Sequence, residues 1–167
     1  MEAGPRLPME FSRISPKRKL GLVVCLDPIV GVNCTTHVIE SSRADVAQAI
    51  SDLAKRERAP LKLIGAVHVH GLQTGRMSTV CSTVSKWCKD NNWLGAVWTD
   101  LEPNFSSHTK QEFSVEAGKS YLRSLTGESL TEAHNYIENA PFQTRTPLRT
   151  ALASDEWWQG LKKDRQA

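Results

Sequence analysis

The pattern of apolar and polar positions predicts strands in the first part of the chain and helices in the last. Met9 to Ser15 alternates, with Met9, Phe11 and Arg13 on one face and Glu10, Ser12 and Ile14 on the other, as a strand requires. Leu20 to Leu26 (LGLVVCL) is a continuous apolar run suited to a central strand covered on both faces. Asp27-Pro28 and Gly31 mark the next turn, and Val32 to Glu40 returns antiparallel. Between Ser42 and Arg58 the period changes. Val46, Ile50 and Leu53 recur at helical spacing, and Ser42 with Asp45 forms a capping box at the helix start. Leu61 to Val69 predicts another strand, Met77 to Lys89 a helix with Val80, Val84 and Trp87 on its apolar stripe, and Gly95 to Trp98 a buried strand.

The remainder is helical. Ser114 caps a helix to Leu125, Gly127 ends it, and Ser129 with Glu132 opens a second that Pro141 closes. Thr146-Pro147 starts a third, with Leu148, Ala151, Leu152, Trp158 and Leu161 as its packing face. The expected architecture is α+β in a single domain over 1–167, with a sheet-rich core carrying two helices over 1–105 and a helical C-terminal region over 114–163.

Composition narrows the class of function. A chain of 167 residues with 40% hydrophobic and 23% charged content is an ordinary globular protein with enough length for a real core. The net charge of +3 is dispersed. Its densest basic stretch, Arg6, Arg13, Lys17, Arg18 and Lys19, lacks the interleaved aromatic residues of a nucleic-acid binder, so no nucleic-acid partner is expected. No apolar run serves as a signal peptide or membrane span, which predicts a cytoplasmic protein with no membrane partner. The four cysteines, Cys25, Cys34, Cys81 and Cys88, lack the two-residue spacing of zinc and redox motifs and are expected as reduced, buried thiols. A disulfide between Cys25 and Cys34 across a hairpin is the alternative. His68 and His70 share one face of a strand and could hold a metal with His37, but no carboxylate or cysteine lies close by in sequence. The other reading is two surface histidines ahead of the loop Gly71 to Gly75, and no metal is expected.

Glu57 is the candidate for chemistry. It falls four residues beyond Leu53 and eleven beyond Val46, about three turns at roughly 3.6 residues each, and so on the apolar stripe of its helix. A carboxyl aimed at the core near a helix C-terminus favours its protonated form on two counts, desolvation and the helix dipole. The competing reading is an ion pair with Arg56 or Arg58, or a frayed helix end. Arg13 shares a face with Phe11; it is either an inward clamp for a substrate carboxylate or an edge-strand charge reaching solvent. Thr99 and Asp100 end a strand, where substrate contacts and Asx turns use the same residues.

Several segments resemble the gamma-glutamylcyclotransferase-like family. Leu53-Ala-Lys-Arg-Glu-Arg58, closing a helix between two strands, is similar to the segment that carries the family's catalytic glutamate. Pro8-Met-Glu-Phe-Ser-Arg13, Gly95-Ala-Val-Trp-Thr-Asp-Leu-Glu-Pro-Asn-Phe105, Tyr121-Leu-Arg-Ser-Leu125 and Tyr136-Ile-Glu-Asn-Ala-Pro141 resemble bacterial members in the same order. The resemblance covers most of the chain. It implies a mixed or antiparallel sheet partly curled into a barrel with surrounding helices, Glu57 as general acid/base, and cyclisation of a small γ-glutamyl molecule to 5-oxoproline without metal or cofactor. Arg13, Thr99 and Asp100 would then be substrate contacts.

The chain departs from the family in one respect. A Tyr-Gly-Ser-Leu-like loop on the family's first strand holds the substrate through backbone N–H groups, and no such motif occurs here; the only tyrosines are Tyr121 and Tyr136. The expectation is a chain shortened at its N-terminus, with an unpaired sheet edge. A homodimer is one remedy. The alternative from another class is a non-catalytic binding or interaction protein that keeps the fold.

Overall fold

Alternation in the first segment does produce a strand, and a longer one than the sequence predicts. β1 covers Glu2–Ser15, and β2 (Gly21–Leu26) pairs with it antiparallel through a register shift between Glu10 and Arg13. β3 (Val32–Val38) lies on the other side of β1, giving the order β2-β1-β3. The run LGLVVCL is therefore an edge strand rather than a central one; its cover comes from helices. A second three-stranded sheet has the order β5-β4-β6, from β4 (Ile64–His68), β5 (Gln73–Thr74) and β6 (Gly95–Thr99), with antiparallel pairing throughout. Neither sheet closes, which corrects the expected barrel. Three strands with two free edges lack the width and stagger that closure requires.

The computed structural model describes residues 2–164. They form two units, each drawn from two stretches of chain: one from the residues up to Leu7 with Thr35–Leu101, the other from Pro8–Cys34 with the residues from Glu102 onward. The division does not follow the boundary between a sheet-rich first part and a helical second part.

In the first unit, helices α1 (Val46–Glu57) and α2 (Ser78–Asp90) pack on β4 and β6. Asp45 is itself the N-cap of α1, accepting the Ala47 N–H at 2.7 Å, so the helix starts later than the Ser42 capping box predicts. Ile64, Ala66 and Val67 of β4 are buried, as are Val80, Cys81, Val84 and Cys88 of α2 and Ala54 of α1, the two helices packed on that strand. Gly65 pairs with Trp98 across the strands, and a Cβ on Gly65 would sit 2.3 Å from the indole. Only glycine lets that ring lie across β4.

The second unit has one continuous core. Phe11 and Ile14 of β1 and Leu22 of β2 meet Phe105 of α3 (Phe105–Thr109), Leu122 of α4 (Val115–Ser124), Ala133 and Ile137 of α5 (Gly127–Glu138), Leu148 and Leu152 of α6 (Pro147–Ala153), and Trp158 of α7 (Glu156–Asp164). Ser114 caps α4 as expected, accepting the Ala117 N–H at 3.0 Å, and Thr146 caps α6. Gly127 opens α5 rather than ending α4, since Thr126 is already its N-cap. The predicted third helix is two helices. Asp155 breaks it, accepting the Trp158 N–H at 3.1 Å and so starting α7 afresh. All four cysteines are buried and none forms a disulfide among the described residues, and no helix among them is long and apolar enough to cross a membrane.

Two expectations follow from this core. Trp158 is fully buried and its indole N–H donates to Glu138 Oε1 at 2.7 Å, so Trp158→Ala should lower unfolding free energy by about 3–5 kcal/mol in urea titration. Burial works to raise the Asp155 carboxyl, but the bond from Lys119, the Trp158 N–H and the Arg123 charge outweigh it and hold its pKa below the usual aspartate value. A lowered folded pKa contributes stability above the unfolded value and loses it as pH falls through the folded one. Asp155→Asn should therefore flatten the acid side of the stability profile between about pH 5 and pH 2.

Candidate functional site

Helix α1 delivers Glu57 to a defined end of the first unit. At the start of α1, Val46 approaches Gly95, the first residue of β6: a Cβ on that glycine would be 3.3 Å from the Val46 methyl. At its other end α1 packs against the 3₁₀ turn Leu61–Leu63, whose Leu63 carbonyl accepts the Asp100 N–H at 2.8 Å. Ile64, next in the chain, pairs with Thr99. Helix and strand thus run the same way, and Glu57 points its helix end toward the end of β6 that carries Thr99 and Asp100. Twelve helical residues rise about 18 Å and five strand residues about 17 Å, so the two ends finish at comparable heights.

The Glu57 carboxyl is not sunk in the core. Its side chain is 39% exposed, and Oε1 accepts from Arg56 Nε at 2.9 Å. The reason is local. Arg58 takes a left-handed conformation at the helix C-cap, with φ 51°, and its N–H closes the helix onto Ala54 and Lys55 carbonyls. The helix therefore ends immediately after Glu57, where a side chain on the apolar stripe has run past the core and can turn to its neighbour. The stripe predicted burial; the helix terminus prevents it.

Asp100 is buried and fully engaged. Its Oδ2 accepts the Arg76 N–H at 2.6 Å, Oδ1 accepts the Trp98 indole N–H at 3.3 Å, and the Arg76 guanidinium lies 3.5 Å from Oδ1. Arg76 also donates to the Asp100 carbonyl at 3.0 Å and the Leu101 carbonyl at 3.1 Å. Asp100 thus holds the segment around Arg76 against the end of β6, a positioning role. Burial first, and then the Asp100 charge, push the nearby Cys81 thiol up, which makes it a poor nucleophile. Thr99 is exposed at the same end.

Arg13 belongs to the second unit. It donates to the Glu102 carbonyl there, while Asn104 bonds both the N–H of Ile14 at 2.7 Å and its carbonyl at 2.9 Å. Arg13 fastens the segment after residue 101 to β1; the register shift between Glu10 and Arg13 puts Ile14, rather than the predicted Arg13, with Phe11 in the core. The histidine pair is tied locally: His68 Nδ1 accepts the His70 N–H at 3.1 Å.

Sequence reasoning passed over two polar residues. Arg76 carries no periodic signal, because its partners lie 24 and 25 residues further on. Glu10 is 1% exposed and accepts N–H bonds from Phe11 at 2.7 Å and from Leu148 in the first turn of α6 at 3.2 Å. Desolvation raises its pKa, opposed by Thr146 and the two N–H groups and reinforced by Asp27. Its place on a face with Ser12 and Ile14 was the available clue.

No family model, curated protein or solved structure matches the chain. Its function rests on the site itself.

The Asp100 and Glu10 environments lead to opposite expectations. Asp100→Ala removes the buried carboxylate that pairs with Arg76 and accepts its N–H and should cost about 3 kcal/mol in denaturant unfolding, whereas Thr99→Val should stay within about 0.5 kcal/mol. Glu10, with a raised folded pKa, contributes stability that is present at acid pH and lost as pH rises through that value. Glu10→Gln should therefore remove a decline in unfolding free energy that sets in as pH rises past the ordinary glutamate value.

Proposed function

We propose that this chain is a gamma-glutamylcyclotransferase-like protein that cyclises a small γ-glutamyl molecule to 5-oxoproline, with Glu57 as general acid/base. One observation supports the reading above the others: an accessible carboxylate, Glu57, lies at the end of the first unit that also carries Thr99 and Asp100. The free α-amine of the substrate attacks its own γ-carbonyl carbon. A new C–N bond closes the five-membered ring, and the bond to the attached amine breaks. The Glu57 carboxylate accepts the proton shed by the attacking amine and returns one to the departing nitrogen. Both reacting groups belong to one molecule, so the protein chiefly folds the substrate into a ring-closing pose. Thr99 offers a hydroxyl beside that pose; Asp100 acts through Arg76 and the strand end it fixes. The chemistry calls for no metal or cofactor. A homodimer joined along β6, the terminal strand of its sheet, belongs to the same reading and is tested by the solution mass.

A second reading, a non-catalytic binding protein, is favoured by the ion pair between Glu57 and Arg56, which occupies part of the carboxylate a substrate would need. The two separate in one assay. Incubation with γ-glutamyl amino acids, glutathione and γ-glutamylamines should release 5-oxoproline, and Glu57→Gln should reduce the rate by roughly 10²- to 10⁴-fold. Release that persists undiminished in the variant removes Glu57 from the mechanism; no release from folded protein leaves the binding reading.

A further inference from the structure

The second unit has an open cleft of about 390 Å³ between α5, the segment that follows it, and the Arg18 and Val24 region. That volume lies within the roughly 300–1,000 Å³ of small-ligand sites. Tyr136, Val24, Ala140 and Pro141 supply its apolar lining, and Arg18, Glu132, Asn139 and Thr144 its polar groups. The Arg18 guanidinium stacks 5.3 Å from the Tyr136 ring centre, and that ring is fixed from its other side by an edge-to-face contact with Phe11 at 6.2 Å. Arg18 Nη1 donates to Glu132 Oε1 at 3.0 Å. Its Nε and Nη2 N–H groups carry no bond to the described residues, and these form the planar fork that binds a carboxylate through two parallel hydrogen bonds. Glu132 Oε2 is likewise left to accept. Thr144 is 5% exposed as a residue and lines the cleft beside Ala140 and Pro141.

We infer that this cleft binds a small molecule bearing an α-amino-acid head, its carboxylate on the Arg18 fork and its ammonium on Glu132, with a polar body reaching Asn139 and Thr144. Opposite charges held side by side match the zwitterion, in which ammonium and carboxylate are also neighbours. A simple anion would satisfy Arg18 and be repelled by Glu132; a simple cation would meet the reverse. The inference does not depend on Glu57, which lies in the other unit.

The test uses the full chain and L-glutamine as probe, followed by two-dimensional NMR of backbone amides and arginine Nε–H. L-Glutamine should give saturable shifts at Arg18 Nε and at the Asn139 and Thr144 amides. N-acetyl-L-glutamine, which lacks the ammonium, and the α-amide of glutamine, which lacks the carboxylate, should each bind at least roughly tenfold more weakly, as should Arg18→Gln. Thr144→Val should weaken binding without altering the preference for the zwitterion. The shifts are read at Arg18, Asn139 and Thr144, all in the second unit, so failure of the cyclisation reading leaves this result intact. Absence of saturable shifts in the folded protein, or equal binding of all three probes, overturns the inference.

Discussion

The buried carboxylate of Asp100 is the constraint on which the first unit depends. Taken out of water, it must find donors, and it finds the N–H and guanidinium of Arg76 and the indole of Trp98. Those bonds fix three things together: the end of β6, the segment leading into α2, and the tryptophan that lies across Gly65. The same strand end receives the turn after α1 through the Leu63 carbonyl. Where Glu57 finishes is thus tied to the buried Asp100 and Arg76 pair.

The second unit is organised differently, around apolar contact. Phe11, Leu122 and Trp158 meet in a core to which both β-strands and helices contribute, and three carboxylates beside it are answered: Glu10 by α6, Asp155 by α4 and α7, Glu138 by Trp158 and Lys162. The open cleft with the Arg18 and Glu132 pair lies in this unit. The ligands proposed for the two ends each carry an α-amino-acid head, and the two proposals rest on separate residues.

Local rules carried the reading where local physics decides. The apolar stripes of α1 and α2, the caps at Ser114 and Thr146, and the turn at Asp27 are all legible, because each is settled by residues within one turn of chain. The failures come from longer range or from helix ends. Nothing in LGLVVCL says that its neighbour is β1 on one side only, and an apolar run buried beneath helices has the same composition as a central strand. The stripe through Val46, Ile50 and Leu53 correctly orients α1, yet it could not show that the left-handed Arg58 ends the helix at once and lets Glu57 turn to Arg56. The Arg76 and Asp100 pair joins residues far apart in sequence, where no periodicity reaches.

The most direct test of the central claim is a titration of the folded protein with a γ-glutamyl dipeptide such as γ-glutamylalanine, read by backbone amide NMR. Saturable shifts should gather at Glu57, Arg58 and Thr99 whether or not turnover is fast enough to detect. A ligand that perturbs none of these three, in a protein whose spectrum remains that of the folded state, would contradict a substrate site at that end of the unit.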